Sequence, residues 1–308
     1  MKLAPITLFV YNRLEHTKRT VEALLENELA SKSDLIIYSD GNKTELDQKA
    51  VQEVRTYIKS ITGFKSLTIV EREKNFGLAK SIIEGVTEVI NRYESIIVLE
   101  DDILVSNAFL EFMNTSLNKY EKEDSVASIH GWSWSIDTKD IKEETYFLKD
   151  PGCWSWATWK RGWELFNPNG KALLDELVKK NLTFSFDYFG TYNYTQMLME
   201  QIEGKNNSWA IRFYASLFLK NKLTLHPTNS LVKNIGLDNS GTHTSYDKYL
   251  ETNELNQNKN INFSKEIKEN KRIKKKISEY LYNSYHLKMV YYENLMYQKI
   301  KYLLWSVL

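Results

Sequence analysis

Ser95–Ser106 reads SIIVLEDDILVS. A short apolar run, Ile96–Leu99, ends in three consecutive acids, Glu100, Asp101 and Asp102. A second apolar stretch, Ile103–Val105, follows at once. Three adjacent carboxylates repel one another, and burying them unpaired is costly, so such a cluster faces water or a cation. Carboxylate oxygens suit hard divalent ions such as Mg²⁺ or Mn²⁺. In an open parallel sheet, ligands bind outside the carboxyl ends of the strands. The stretch therefore predicts a strand end that receives a phosphorylated donor. A solvated acidic turn is the plainer alternative.

The preceding residues supply the sheet. Pro5–Val10 is rich in β-formers, and Tyr11-Asn12-Arg13 and a helical pattern through Leu25 follow it. Leu35–Tyr38 is a second apolar run and ends in the turn signal Ser39-Asp40-Gly41-Asn42. Val51, Val54 and Ile58 recur at helical spacing. Leu67–Val70 is a third strand, and Asn75-Phe76-Gly77-Leu78-Ala79-Lys80 opens a helix through Ile90. Strands alternating with helices of this length predict βαβ units around a mostly parallel sheet. Right-handed crossovers would bring Tyr11-Asn12-Arg13, Asp40-Gly41-Asn42 and Glu100-Asp101-Asp102 to one edge, as one cleft.

In this order, PITLFVYNR, YSDGN, NFGLAKSIIEGV and VLEDDILVS resemble the nucleotide-sugar-binding half of a GT-A glycosyltransferase. The likeness is to the family 2 type of bacterial surface-polysaccharide synthesis. LEDD and its following apolar strand are also similar to the Golgi N-acetylglucosaminyltransferase type. Pro151-Gly152-Cys153-Trp154-Ser155-Trp156-Ala157-Thr158-Trp159, Ser208-Trp209-Ala210-Ile211-Arg212, and Asn234-Ile235-Gly236 with Gly241-Thr242-His243 extend the resemblance over residues 3 to 245. It implies sugar transfer from a nucleotide sugar, with Asp102 as metal ligand and Asp101 and Glu100 facing the donor. It also implies base and ribose contacts at Tyr11, Asn12, Arg13 and Asp40, and a UDP-linked donor. An Asx turn with Gly41 is a compatible role for Asp40.

Other candidates follow from residue chemistry. The helix start at Asn75 and Gly77, with the charge of Lys80, favours a diphosphate. All but one of the eight tryptophans lie between Trp132 and Trp209. Indole faces stack on sugars, so Trp132, Trp154, Trp156 and Trp209, with Arg212, are acceptor-binding candidates; a core of unusual aromatics is the alternative. Trp159 and Trp163 are spaced i, i+4, as for helix packing. A neutral imidazole at His243 would complete the metal shell or touch phosphate. The catalytic base departs from the family pattern. Inverting relatives carry an acid where this chain reads Gly204-Lys205-Asn206-Asn207-Ser208-Trp209. Glu203 is the candidate, with Asp187 in reserve; a retaining mechanism would need neither.

Composition agrees with an enzyme. The chain has 308 residues and a net charge of +1, so no global field draws nucleic acid. One cysteine excludes an internal disulfide and fits a reducing compartment. The sequence shows neither a leader-type apolar segment nor an apolar run long enough to span a bilayer, which places it in the cytoplasm or at the inner face of the plasma membrane. The polar stretch Leu250–Asn270 reads as a linker. Beyond it, Lys271-Arg272-Ile273-Lys274-Lys275-Lys276 and the aromatic residues to Leu308 read as an interfacial membrane anchor, suited to a lipid-linked acceptor. Helices docking on the catalytic domain, or forming a homodimer, are the alternative.

The resulting expectation is an α/β protein of GT-A type with a helical C-terminal extension. Residues 1–105 hold the nucleotide sugar, 106–248 shape the acceptor half of the same domain, and 249–308 form a linker and basic tail. The implied activity is metal-dependent (Mn²⁺ or Mg²⁺), inverting transfer of a hexose or N-acetylhexosamine to a saccharide acceptor in O-antigen or capsule assembly. A catalytically inactive sugar-binding protein and a sugar nucleotidyltransferase are the alternatives.

Overall fold

The computed structural model describes residues 2–139, 141–238 and 254–285. Alternation of strand and helix begins with β1 (Ile6–Val10), α1 (Leu14–Leu25), β2 (Asp34–Ser39), α2 (Gln48–Lys59), β3 (Ser66–Glu71), α3 (Leu78–Tyr93) and β4 (Ser95–Glu100). Strands β1 to β4 pair in parallel, in the spatial order β3-β2-β1-β4. The short β5 (Ile103–Val105) leaves this sheet and is followed by α4 (Phe109–Lys119), β6 (Val126–His130), β7 (Thr145–Leu148) and β8 (Trp156–Trp159). Helices α5 (Lys160–Trp163), α6 (Gly170–Lys179), α7 (Thr183–Phe186), α8 (Tyr194–Ile202) and α9 (Trp209–Leu219) come next. Then come β9 (Leu223–Pro227), β10 (Val232–Asn234) and α10 (Lys271–Tyr285). Strands β8, β6, β9 and β7 extend the sheet beyond β4, with β8 and β7 antiparallel to their neighbours. The eight-stranded, mostly parallel sheet matches the GT-A expectation.

Period-two alternation separates the two faces. Ile97 and Leu99 join one core with Val21 and Leu24 of α1 and Val54 and Ile58 of α2. Ile96 and Val98 join the other with Ile82 and Val86 of α3 and Phe213 and Leu217 of α9. Both faces of β4 are apolar because helices cover the sheet on either side, and the run stops at Glu100, which leaves the acids at the strand end. Strand β5 pairs antiparallel with β10, Ile103 opposite Asn234, and so brings the residue-235 turn back over the acids.

The C-terminal extension is part of the core. Ile273, Ile277 and Leu281, one apolar row of α10, are fully buried in the larger cluster. This corrects the membrane-anchor reading for 271–285: the apolar face is spent on packing, which is the docking alternative. Residues 254–270 are likewise pinned. Phe263 stacks on Phe112, and the Asn256 N–H donates to the Ser230 carbonyl at 2.8 Å. The rest of the tail and His243 lie outside the described residues. Among those described, no helix is long and apolar enough to cross a membrane.

Candidate active site

The ends of β1, β2 and β4 converge as the right-handed crossovers require. Arg13 enters between the acids. Its Nη2 donates to Asp101 Oδ1 and, at 2.8 Å, to Asp102 Oδ2. Burial and the repulsion of Asp102 and Asp101 push the Glu100 carboxyl above its usual range. Burial raises Asp101 as well, and Arg13 opposes this. One guanidinium thus offsets charge that two buried carboxylates could not carry unpaired. The turn after β10 closes the other side: the Ile235 N–H donates to the Asp102 carbonyl at 2.8 Å. A Cβ on Gly236 would lie 2.9 Å from Asp102 Cγ and 3.0 Å from Arg13 Nη1, so only glycine fits there.

Asp40 has a different local partner set from that expected. Its Oδ1 accepts from the N–H groups of Gly41 at 3.0 Å and Phe76 at 2.8 Å, and its Oδ2 accepts from Gly77 at 2.9 Å. Asp40 therefore caps the entry to α3 from the neighbouring strand. These bonds engage the residues ahead of α3; the first-turn N–H groups, of Leu78, Ala79 and Lys80, are not among them. Lys80 stands 4.2 Å from the Phe76 ring and 3.7 Å from Glu84. Asn75 donates to the Gly41 carbonyl at 2.8 Å. Tyr11 Oη accepts from the Lys43 N–H at 3.0 Å, and Asn12 donates to Asp47 at 3.3 Å. These bonds join the strand-end loops into one rim.

The tryptophans divide. Trp156 is 1% exposed and Trp209 3% exposed; they lie 5.2 Å apart, and both pack on Phe213. Their faces are covered by protein, which corrects the acceptor expectation for both. Arg212 is also buried, donating to the carbonyls of Ser208 at 3.1 Å and Pro168 at 3.3 Å. It ties the α9 entry to the loop before α6 rather than reaching a sugar. Trp132 is buried edge-on against Trp134 and Trp154. Trp154 is half-buried.

Trp154 belongs to the Pro151–Trp159 stretch, which is anchored by Asp150, a residue the sequence did not single out. Asp150 Oδ1 accepts from the Gly152 N–H at 3.0 Å, its Oδ2 from Tyr188 Oη at 3.2 Å, and its carbonyl from His226 Nε2 at 2.8 Å. Gly152 has φ +61°, and a Cβ there would overlap the His130 ring. The stretch holds Cys153 near Glu100, Asp150 and Asp102; burial first, then these charges, push its thiol upward. Asp150 before Pro151-Gly152 was the legible signal, an Asx-turn pattern.

The two base candidates sit apart in chemistry. Glu203 ends α8 and pairs with Lys205 at 2.6 Å. Asp187 is buried and accepts from Thr195 N at 2.6 Å and Thr195 Oγ1 at 2.8 Å. Burial outweighs those bonds and lifts its pKa from 3.8 to about 7. The native state therefore holds this proton more tightly than the unfolded chain. The associated stability is complete below pH 3.8 and is lost as pH rises through about 7. Asp187→Asn keeps an acceptor for Thr195 without the ionisation. Its unfolding free energy is expected to exceed that of wild type progressively as pH rises, by on the order of a few kcal/mol at pH 8, with a correspondingly higher melting temperature. A constant difference across pH in melting curves would remove this account.

The chain was compared with known proteins. Residues 6–186 match the family Glycosyl transferase family 2. The chain belongs to that family. No curated protein matches it. Among solved structures, it is similar to the mannosyltransferase PcManGT from Pyrobaculum calidifontis in complex with GDP-Man and Mn²⁺. The identity is 11%, over 72% of this chain and 70% of that one, at a TM-score of 0.39. A UDP-glucose pyrophosphorylase complexed with UDP-glucose matches at 14% identity, over 73% and 90%, at 0.34. S. aureus TarS matches at 12%, over 46% and 24%, at 0.33. Membership makes this family 2 chain a glycosyltransferase with a nucleotide-sugar donor and a saccharide acceptor.

Its donor set was tested for a divalent ion. Asp101 and Asp102 offer hard oxygens, and the cation already between them is Arg13. The described residues contain no group of three or more His, Cys, Asp or Glu placed to hold one ion. Asp102 is the residue that would hold such an ion.

Proposed function

We propose that this chain transfers a hexose or N-acetylhexosamine from a UDP-sugar to a saccharide acceptor, with inversion, in bacterial O-antigen or capsule assembly. The observation that carries the donor site is Arg13 held between Asp101 and Asp102 where β1 and β4 end, beneath Gly236. A guanidinium there can leave one carboxylate to bind phosphate oxygens, for which its fork geometry is suited. The preference for UDP, the polysaccharide pathway and the likeness to the Golgi type rest on sequence motifs.

In this reading Glu203 takes the proton from the acceptor hydroxyl. The acceptor oxygen bonds to the anomeric carbon as the bond from that carbon to the diphosphate oxygen breaks. Lys205 is largely exposed, so its ion pair with Glu203 can open when acceptor arrives. Arg13 steadies the charge on the leaving diphosphate. A divalent cation at Asp102, when bound, would supply further Lewis-acid stabilisation there. In this reading half-buried Trp154 meets the acceptor sugar.

The test is calorimetric titration with UDP, GDP and ADP in the presence of Mn²⁺, followed by turnover of Glu203→Gln. UDP should bind most tightly. The variant should lose about 10²- to 10⁴-fold in turnover with UDP affinity unchanged. Equal or tighter GDP binding removes the UDP assignment, and undiminished turnover moves the base from Glu203.

A further inference from the structure

Phe184 and Phe189 are 44% and 43% exposed, and their ring centroids lie 5.9 Å apart. They stand on strained backbone. Tyr188, Phe189 and Gly190 have φ of +50°, +58° and +74° in succession. Two non-glycine residues in the left-handed region carry an energetic cost, and such strain persists only where the surroundings impose it. Here the buried Tyr188 imposes it. Its hydroxyl is held by Asp150, and its carbonyl accepts from Ser278 Oγ of α10 at 2.7 Å. With Tyr188 pinned inward, Phe189 is turned toward solvent.

Helix α10 continues the same surface. Lys274 Nζ lies 5.3 Å from the Phe189 ring centre, and Lys274 itself is buried and paired with Glu269 at 2.9 Å. At 3.6 residues per turn, Lys271, Lys275 and Tyr282 form the next row outward beside Lys274 and Ser278. All three are exposed. Glu279, 3.7 Å from Lys275, cancels one of the two lysine charges, and the exposed Arg272 adds another.

We propose that this surface, Phe184 and Phe189 beside the Lys271–Lys275–Tyr282 row, docks on an anionic lipid bilayer. Lysine is depleted at protein–protein interfaces. Rings that enter the headgroup boundary next to lysines that meet anionic headgroups form the pattern of interfacial attachment. The surface differs from the tail anchor expected from sequence, because α10 turns its apolar row into the core and its basic row outward. It is independent of which donor the chain uses.

The test is co-sedimentation of the full chain with phosphatidylglycerol-containing vesicles and with pure phosphatidylcholine vesicles. Wild type should partition onto the anionic vesicles and be released by added salt. Lys271→Glu with Lys275→Glu should lower partitioning about 25-fold or more. Phe184→Ser with Phe189→Ser should lower it about tenfold or more. UDP titration of the same samples should be unchanged, which separates failure here from failure of the proposed donor. Wild type that ignores anionic vesicles overturns the proposal, as do variants that bind like wild type. If the phenylalanine pair fails to fold, the exposed lysine pair decides. Loss of acceptor turnover with vesicle binding intact would make the surface an acceptor platform and also overturn the proposal.

Discussion

Asp102→Asn is expected to cut sugar transfer by at least about a hundredfold while leaving the melting temperature close to wild type. The substitution conserves size, so the space under Gly236 is unchanged. The amide oxygen can still accept from Arg13. What disappears is the second carboxylate charge beside Arg13, the one that would hold a cation against the diphosphate. The loss should therefore appear in turnover and in metal-dependent UDP affinity, and circular dichroism should be unaltered. EDTA should mimic the variant in the wild-type protein and add nothing to it. Full activity in EDTA, or in Asp102→Asn, would end the metal assignment.

A chain ending at residue 270 is expected to lose cooperative folding. It would lack Ile273, Ile277 and Leu281, all fully buried in the larger core. It would also lose the Ser278 bond to Tyr188 and the Lys274–Glu269 pair. Each large-to-small core deletion costs about 2–5 kcal/mol. Three together reach roughly the whole stability of a typical domain, about 5–15 kcal/mol. Ile277→Ala isolates one share, about 2–5 kcal/mol in denaturant unfolding at constant slope. A truncated chain with the native midpoint would restore the view of 271–285 as an appendage.

The first half of the fold was legible because its signals are local. Apolar runs at Ile6–Val10 and Ile96–Leu99, helical spacing at Val51, Val54 and Ile58, and turn residues after each strand are properties of neighbours in the chain. Right-handed crossovers then left one edge for Arg13, Asp40 and the acids. By itself the sequence determined the alternating α/β order, the placing of Glu100-Asp101-Asp102 at a strand end and the family likeness. Only the tertiary structure decided which partner each polar group takes. Arg13 crosses 88 residues to Asp101, Asp40 crosses 36 to the Phe76 N–H, and Asp150 crosses 38 to Tyr188. Composition made Trp156 and Trp209 look like sugar platforms, and the meeting of β8 with α9 buried them. The same limit applied to α10: periodicity revealed an apolar row and a basic row, but a helix's own residues do not say whether the apolar row meets lipid or the neighbouring core.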